Sequence, residues 1–202
     1  MTDFPKTLNV CSNCCPQKSI GIALSTSQEV QTFYPSSHLL SLSVLQKSFE
    51  DLEAREVSML NSRIQALRQT NPKLWDLSER NEFPIHVEHA WYADWNSGGT
   101  YYYVEAHRRY SKAPLGEVCP NVSAYRGWIF IDTLQVQRVI SSRMVLTDCD
   151  FKEAGFTTPL GLLELRTATF AIVQTDGWES QTYGILRLDP SAMTPVIDSP
   201  VR

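Results

Sequence analysis

The sequence predicts an α+β fold, with one long amphipathic helix packed on a curved, mostly antiparallel sheet of five to six strands. Three observations predict it. Residues 42–70 carry apolar side chains at helical spacing. From residue 83 onward the pattern turns to strand-like alternation broken by turn residues. The strands follow the helix as a block instead of alternating with further helices, which separates α+β from α/β.

Residues 1–37 show little periodicity. Pro5, Pro16, Pro35 and the Ser25-Thr26-Ser27 cluster predict an irregular N-terminal segment, with one brief strand at 20–24. In the helix, Leu45, Phe49, Leu52, Leu60, Ile64 and Leu67 share a face. Ser43 and Gln46 fit a capping box. Glu50, Asp51, Glu53 and Glu56 precede Arg63 and Arg68, a polarity that suits the helix dipole. Asn71-Pro72 ends the helix, because the residue before proline leaves the α region. A helix of this length runs roughly 40 Å, enough to cross a sheet or to offer a face to a second copy. Glu56 and Arg63 break any heptad, so no coiled coil is predicted.

A short helical turn is expected at 73–80. Strands at 85–92 and 100–110 form a hairpin around Asn96-Ser97-Gly98-Gly99, where glycine meets the positive φ of hairpin turns. Residues 127–133 read as a strand, and 134–147 fit either strand or helix. Residues 162–175 read as one long strand. Asp176-Gly177 turns the chain into a return strand ending near Leu188. Residues 190–202 hold three prolines and no periodicity, and are predicted to be a mobile tail. The predicted organisation is therefore 1–37 irregular, 38–189 a single α+β domain, and 190–202 tail.

The 202 residues carry a net charge of −4, which argues against a general nucleic-acid binder. Arg108, Arg109 and Lys112 form only a local basic patch. No apolar leader core opens the chain and no run approaches the roughly 18 apolar residues of a membrane span. A soluble, cytoplasmic protein without membrane association is expected. Its five cysteines, an odd number, are then expected as thiols. Walker, dinucleotide-binding and nucleophile-elbow patterns are absent from the sequence.

Residues 83–110 concentrate the chemistry. They hold His86, His89 and His107 among the chain's four histidines, with Trp91, Trp95, Tyr101 and Tyr103 close by. Alternation places His86, Glu88 and Tyr92 on one side of the first strand, and His89 with Trp91 on the other. A turn centred on Ser97-Gly98 sets Glu88 opposite His107 and His86 opposite Arg109. His86, Glu88 and His107 are then candidate ligands for zinc or another divalent metal. Glu88 or Glu105 is a candidate general base. Ordinary cross-strand ion pairs explain the same residues without a site. Cys11 and Cys14 have the C-x-x-C spacing of a zinc knuckle, but no second such pair completes it.

The aromatic density without a catalytic signature favours a non-enzymatic binding protein. Its hairpin surface, through Trp91, Trp95, Tyr101, Tyr103 and Arg109, would engage a protein partner or a small polar ligand. The alternative is a small metal-dependent hydrolase using the His/Glu site of the same hairpin. Single-stranded nucleic-acid binding through Trp95, Tyr101, Tyr103, Arg108 and Arg109 is a third, weaker reading.

Overall fold

The computed structural model describes residues 9–11, 21–23, 30–35, 42–67, 80–95, 98–110, 121–147, 154–165, 168–177 and 180–201. Strands β1 (Asn9–Cys11) and β2 (Gly21–Ala23) pair with each other. Strands β3 (Val30–Gln31) and β4 (Tyr34–Pro35) precede helix α1 (Leu42–Leu67) and a 3-10 turn at Arg80–Glu82. Eight strands follow: β5 (His86–Trp95), β6 (Gly99–Arg109), β7 (Val122–Asp132), β8 (Gln137–Thr147), β9 (Phe156–Leu165), β10 (Ala168–Asp176), β11 (Gln181–Asp189) and β12 (Ala192–Val201).

The α+β class holds, but the single sheet becomes two five-stranded antiparallel sheets. Their orders are β4-β5-β6-β7-β8 and β12-β11-β10-β9-β3. Helix α1 covers one face of the first sheet, burying Leu45 and Phe49 against Val104, Ala106, Tyr125, Ile129 and Met144. The second sheet covers the other face. There Tyr101, Tyr103, Trp128 and Phe130 pack against Leu162, Ala171, Val173 and Leu188. The layers are therefore helix, sheet, sheet. Residues 30–35 stitch them, with β3 in one sheet, β4 in the other, and Phe33 buried against Trp128 between them (ring centroids 5.8 Å apart).

Two expected elements change for physical reasons. The expected single strand over 162–175 is two strands, because the chain reverses between Leu165 and Ala168. Only Arg166 and Thr167 separate the two strands, with no Gly or Pro to announce the reversal. The expected tail forms β12, which pairs along its length with β11. Pro195 and Pro200 are tolerated because β12 is an edge strand. The two sheets thus draw on residues 30–201, beyond the expected limits of 38–189. The ambiguous 134–147 is strand β8. Asp132 holds the turn before it, accepting the backbone N–H groups of Leu134 and Val136 through Oδ1 at 2.9 Å each.

The helix spans 26 residues, and its charges do not sit where the dipole would use them. Its first turn holds no acid and its last turn no base, and Ser43 lies inside the first turn instead of capping it. Residues 73–79 of the expected turn and most of the Cys cluster, including Cys14 and Cys15, lie outside the described residues.

One helix position breaks the apolar stripe. Leu45, Phe49, Glu53 and Val57 recur every fourth residue and all are buried. Glu53 meets Arg108 of β6, also buried, in a close charge-assisted hydrogen bond. The Tyr110 hydroxyl donates to Glu53 at 2.5 Å and also contacts Ser123 of β7. The Arg108 guanidinium lies 5.3 Å from the Phe49 ring centroid. Arg108 is thus committed to the helix interface and unavailable to a nucleic acid. Removing one partner of a buried pair strands the other charge at a cost of about 3–5 kcal/mol. Arg108→Met is expected to destabilise by about that much in urea unfolding, and Arg108→Met with Glu53→Leu to recover most of the loss. A double variant as unstable as the single one would contradict the pairing.

Candidate functional site

The predicted hairpin forms, and a bulge resets its register. His86 pairs with His107 and Val87 with Ala106. The pairing then skips Glu88, so that His89 meets Glu105 and Trp91 meets Tyr103. One extra residue on β5 reverses the alternation beyond it. His86, His89, Trp91 and Ala93 therefore share the face that looks toward the second sheet. The expected separation of His89 and Trp91 from His86 does not hold, nor does His86 opposite Arg109. Arg109 instead pairs with Val122 of β7 and is half-buried. At the turn, Gly98 adopts φ +135°, a conformation that disfavours side chains.

Glu88 still reaches His107, its Oε2 lying 3.5 Å from Nδ1. The His86 and His107 rings are 5.6 Å apart. Burial lowers the pKa of His107 most strongly, against the pull of Glu88. Among the described residues, no three His, Cys, Asp or Glu side chains gather so as to hold a metal ion. The proposed centre of His86, Glu88 and His107 is therefore not assembled. Cys11 lies in β1 and pairs with Gly21, while Cys14 is outside the described residues. Beside Glu88, Glu105 and His107 there is a cavity of about 30 Å³. That is room for a water or two and too little for a substrate.

The predicted aromatic surface is corrected in the same way. Tyr101 and Tyr103 are 0% and 2% exposed, sealed between the sheets. Tyr103 lies between Trp91 and Trp128 in tilted ring contacts, with centroids 5.7 and 5.0 Å away. Burial pushes the Tyr101 hydroxyl up to about 12. Trp91 is half-buried against the same core. Trp95 ends β5 opposite Gly99, and its side chain lies outside the described set.

Further along the same inter-sheet space lies a larger cleft of about 360 Å³. Tyr103, Arg126, Trp128, Ser141 and Arg143 line one wall. The other wall has an apolar end, at Leu186, Met193 and Pro195, and a hydroxyl end, at Thr157, Thr175 and Thr182. A buried carboxylate beside the cleft links its two walls. Glu105 Oε1 accepts the Tyr103 hydroxyl and the Thr157 backbone N–H, each at 2.9 Å. This ties β6 of the first sheet to β9 of the second. Thr157 Oγ1 also lies 3.4 Å from the Arg126 guanidinium and 3.3 Å from Thr175 Oγ1.

Sequence reasoning singled out Tyr103 among the residues lining this cleft, but not the arginines or the threonines. Their only signal is the pairing of β7 with β8 and the facing of two sheets, neither of which a lone strand pattern carries. No described helix is long and apolar enough to cross a membrane. Comparison with protein families, curated proteins and solved structures finds no match.

Burial is the largest influence on Glu105 and raises its pKa. For an acid, a folded pKa above the unfolded one means that the native state keeps a proton the unfolded state has released. Stability then falls as pH rises, from the ordinary glutamate pKa of about 4.3 up to the raised one. Both hydrogen bonds run to Oε1, so a glutamine carbonyl oxygen can accept them. Glu105→Gln is therefore expected to gain stability relative to wild type between about pH 4 and neutrality. Urea unfolding at the two pH values checks this, and an equal difference at both would count against it.

Proposed function

We propose that this is a non-enzymatic binding protein that takes a small polar ligand into the cleft between its two sheets. The size and lining of that cleft carry the reading. At about 360 Å³ it falls within the range of small-molecule sites, which combine apolar walls with a few convergent polar groups. Trp128 and Leu186 supply apolar surface, while Ser141, Thr157 and Thr182 supply hydroxyls. The binding role expected of the hairpin thus moves from its outer surface to its inner one, with Tyr103 as the shared residue.

A small ligand fits better than a nucleic acid, because Tyr101 and Tyr103, which would stack on bases, are core and Arg108 is paired with Glu53. A cytoplasmic location goes with this reading, since it keeps the five cysteines as thiols. Self-association through α1 and engagement of a protein partner are secondary to it.

The test is a fragment screen by NMR on the whole chain, repeated with Ser141→Trp, which places an indole in the cleft. Hits are expected to shift the amide signals of Ser141, Thr157 and Thr182. They are expected to lose affinity by about tenfold or more, roughly 1.4 kcal/mol, in the variant. Hits that map to the outer hairpin instead, or that survive the indole, would overturn the assignment.

A further inference from the structure

We infer that the ligand is an organic oxyanion, a carboxylate or phosphate on a compact apolar body, with its head group held between Arg126 and Arg143. This inference rests on the cleft reading and names the chemistry of that site.

The register of β7 and β8 sets Arg126 directly opposite Arg143. Like charges in that position repel, and such pairs destabilise a sheet. The chain has acids to spare, 22 Asp and Glu against 18 Lys and Arg, yet none lines the cleft among the described residues. The ion pairs among the described residues leave both arginines out. Glu105 faces Arg126 across β6 and β7, but its hydrogen bonds go to Tyr103 and Thr157. Among the described residues, two guanidinium groups therefore line a cleft that no carboxylate lines, with Glu105 beside it and within electrostatic reach of Arg126. A breach of a local pairing rule is expected at a functional site.

The two arginines differ in a useful way. Arg126 is half-buried and steadied by Thr157 Oγ1, so it is already oriented. Arg143 is exposed and free to close on a ligand. Guanidinium groups present paired N–H donors that match the two oxygens of a carboxylate or phosphate. The apolar end of the cleft, at Trp128, Leu186 and Met193, takes the body of the molecule. A bare inorganic anion would leave that end unfilled.

Calorimetric titration of the whole chain with benzoate, phenyl phosphate and benzyl alcohol tests this. At least one of the two anions is expected to bind about tenfold or more tightly than the alcohol. The tighter of the two identifies the head group. Arg126→Gln and Arg143→Gln are each expected to weaken the anion by about tenfold and to leave benzyl alcohol unchanged. Arg138→Gln, also on β8 but paired with Asp132, serves as the control and is expected to change nothing. Arg143 is exposed, so its variant is informative even if Arg126→Gln fails to fold. If benzyl alcohol binds in the cleft and the anions bind no better, the oxyanion inference falls while the binding reading stands. If none of the three binds, both fall. Anion binding that survives loss of both arginines also overturns the inference.

Discussion

Coverage of the central sheet on both faces is the constraint on which the rest of this structure depends. Strand β6 is hydrogen-bonded to β5 and β7 along its edges, lies under α1 on one face and under the second sheet on the other. The polar residues that such a strand buries must find partners inside. Arg108 does so on the helix side, with Glu53, and Glu105 does so on the other side, with Tyr103 and the Thr157 backbone. These two contacts tie the middle layer to each of its neighbours, and both depend on direction as apolar contacts do not.

The cleft follows from how the second sheet meets the first. At one end, Leu162, Ala171, Val173 and Leu188 fill the gap against Tyr101 and Phe130. At the other, Thr157, Thr175 and Thr182 stand opposite Arg126 and Arg143, and the space is not filled. The same pair of sheets is thus a packed core over part of its length and a lined hollow over the rest. The change falls where apolar side chains give way to hydroxyls. Glu105 holds Tyr103 and Thr157, two residues that line the hollow, and so fastens the sheets together beside it.

The helix, the 86–109 hairpin, and the strands around 127–133 and 181–188 were all legible, since periodicity and turn chemistry are local. The second sheet was not. A strand buried on both faces loses its polar alternation, and Tyr101-Tyr102-Tyr103 shows the consequence. Alternation correctly puts Tyr102 on the face opposite Tyr101 and Tyr103. Helix α1 covers one of those faces and the second sheet the other, where Tyr103 lines the cleft. Glu88 shows the other limit. A single bulged residue moved His89 and Trp91 to the opposite face, and no composition or period marks a bulge of this kind. The contact between Glu88 and His107 was nonetheless anticipated, because a bulged glutamate still reaches its neighbour. Arg126 and Arg143 were unremarked for want of a register between strands that the sequence leaves unpaired.

The short stitch at residues 30–35 bears on the order in which the molecule is made. Val30 and Gln31 pair with Leu163 and Leu162, more than a hundred residues further on. Ribosomes deliver the N-terminal segment first, but its seat in the second sheet does not exist until β9 has emerged. Loop closure over so long a span is slow compared with hairpin formation. The hairpins of the first sheet can therefore form as they are synthesised, while Phe33 waits for its place between the sheets. Residues 30–35 are made well before β9 yet are among the last to settle, and until they do the Trp128 side of the core lacks its plug.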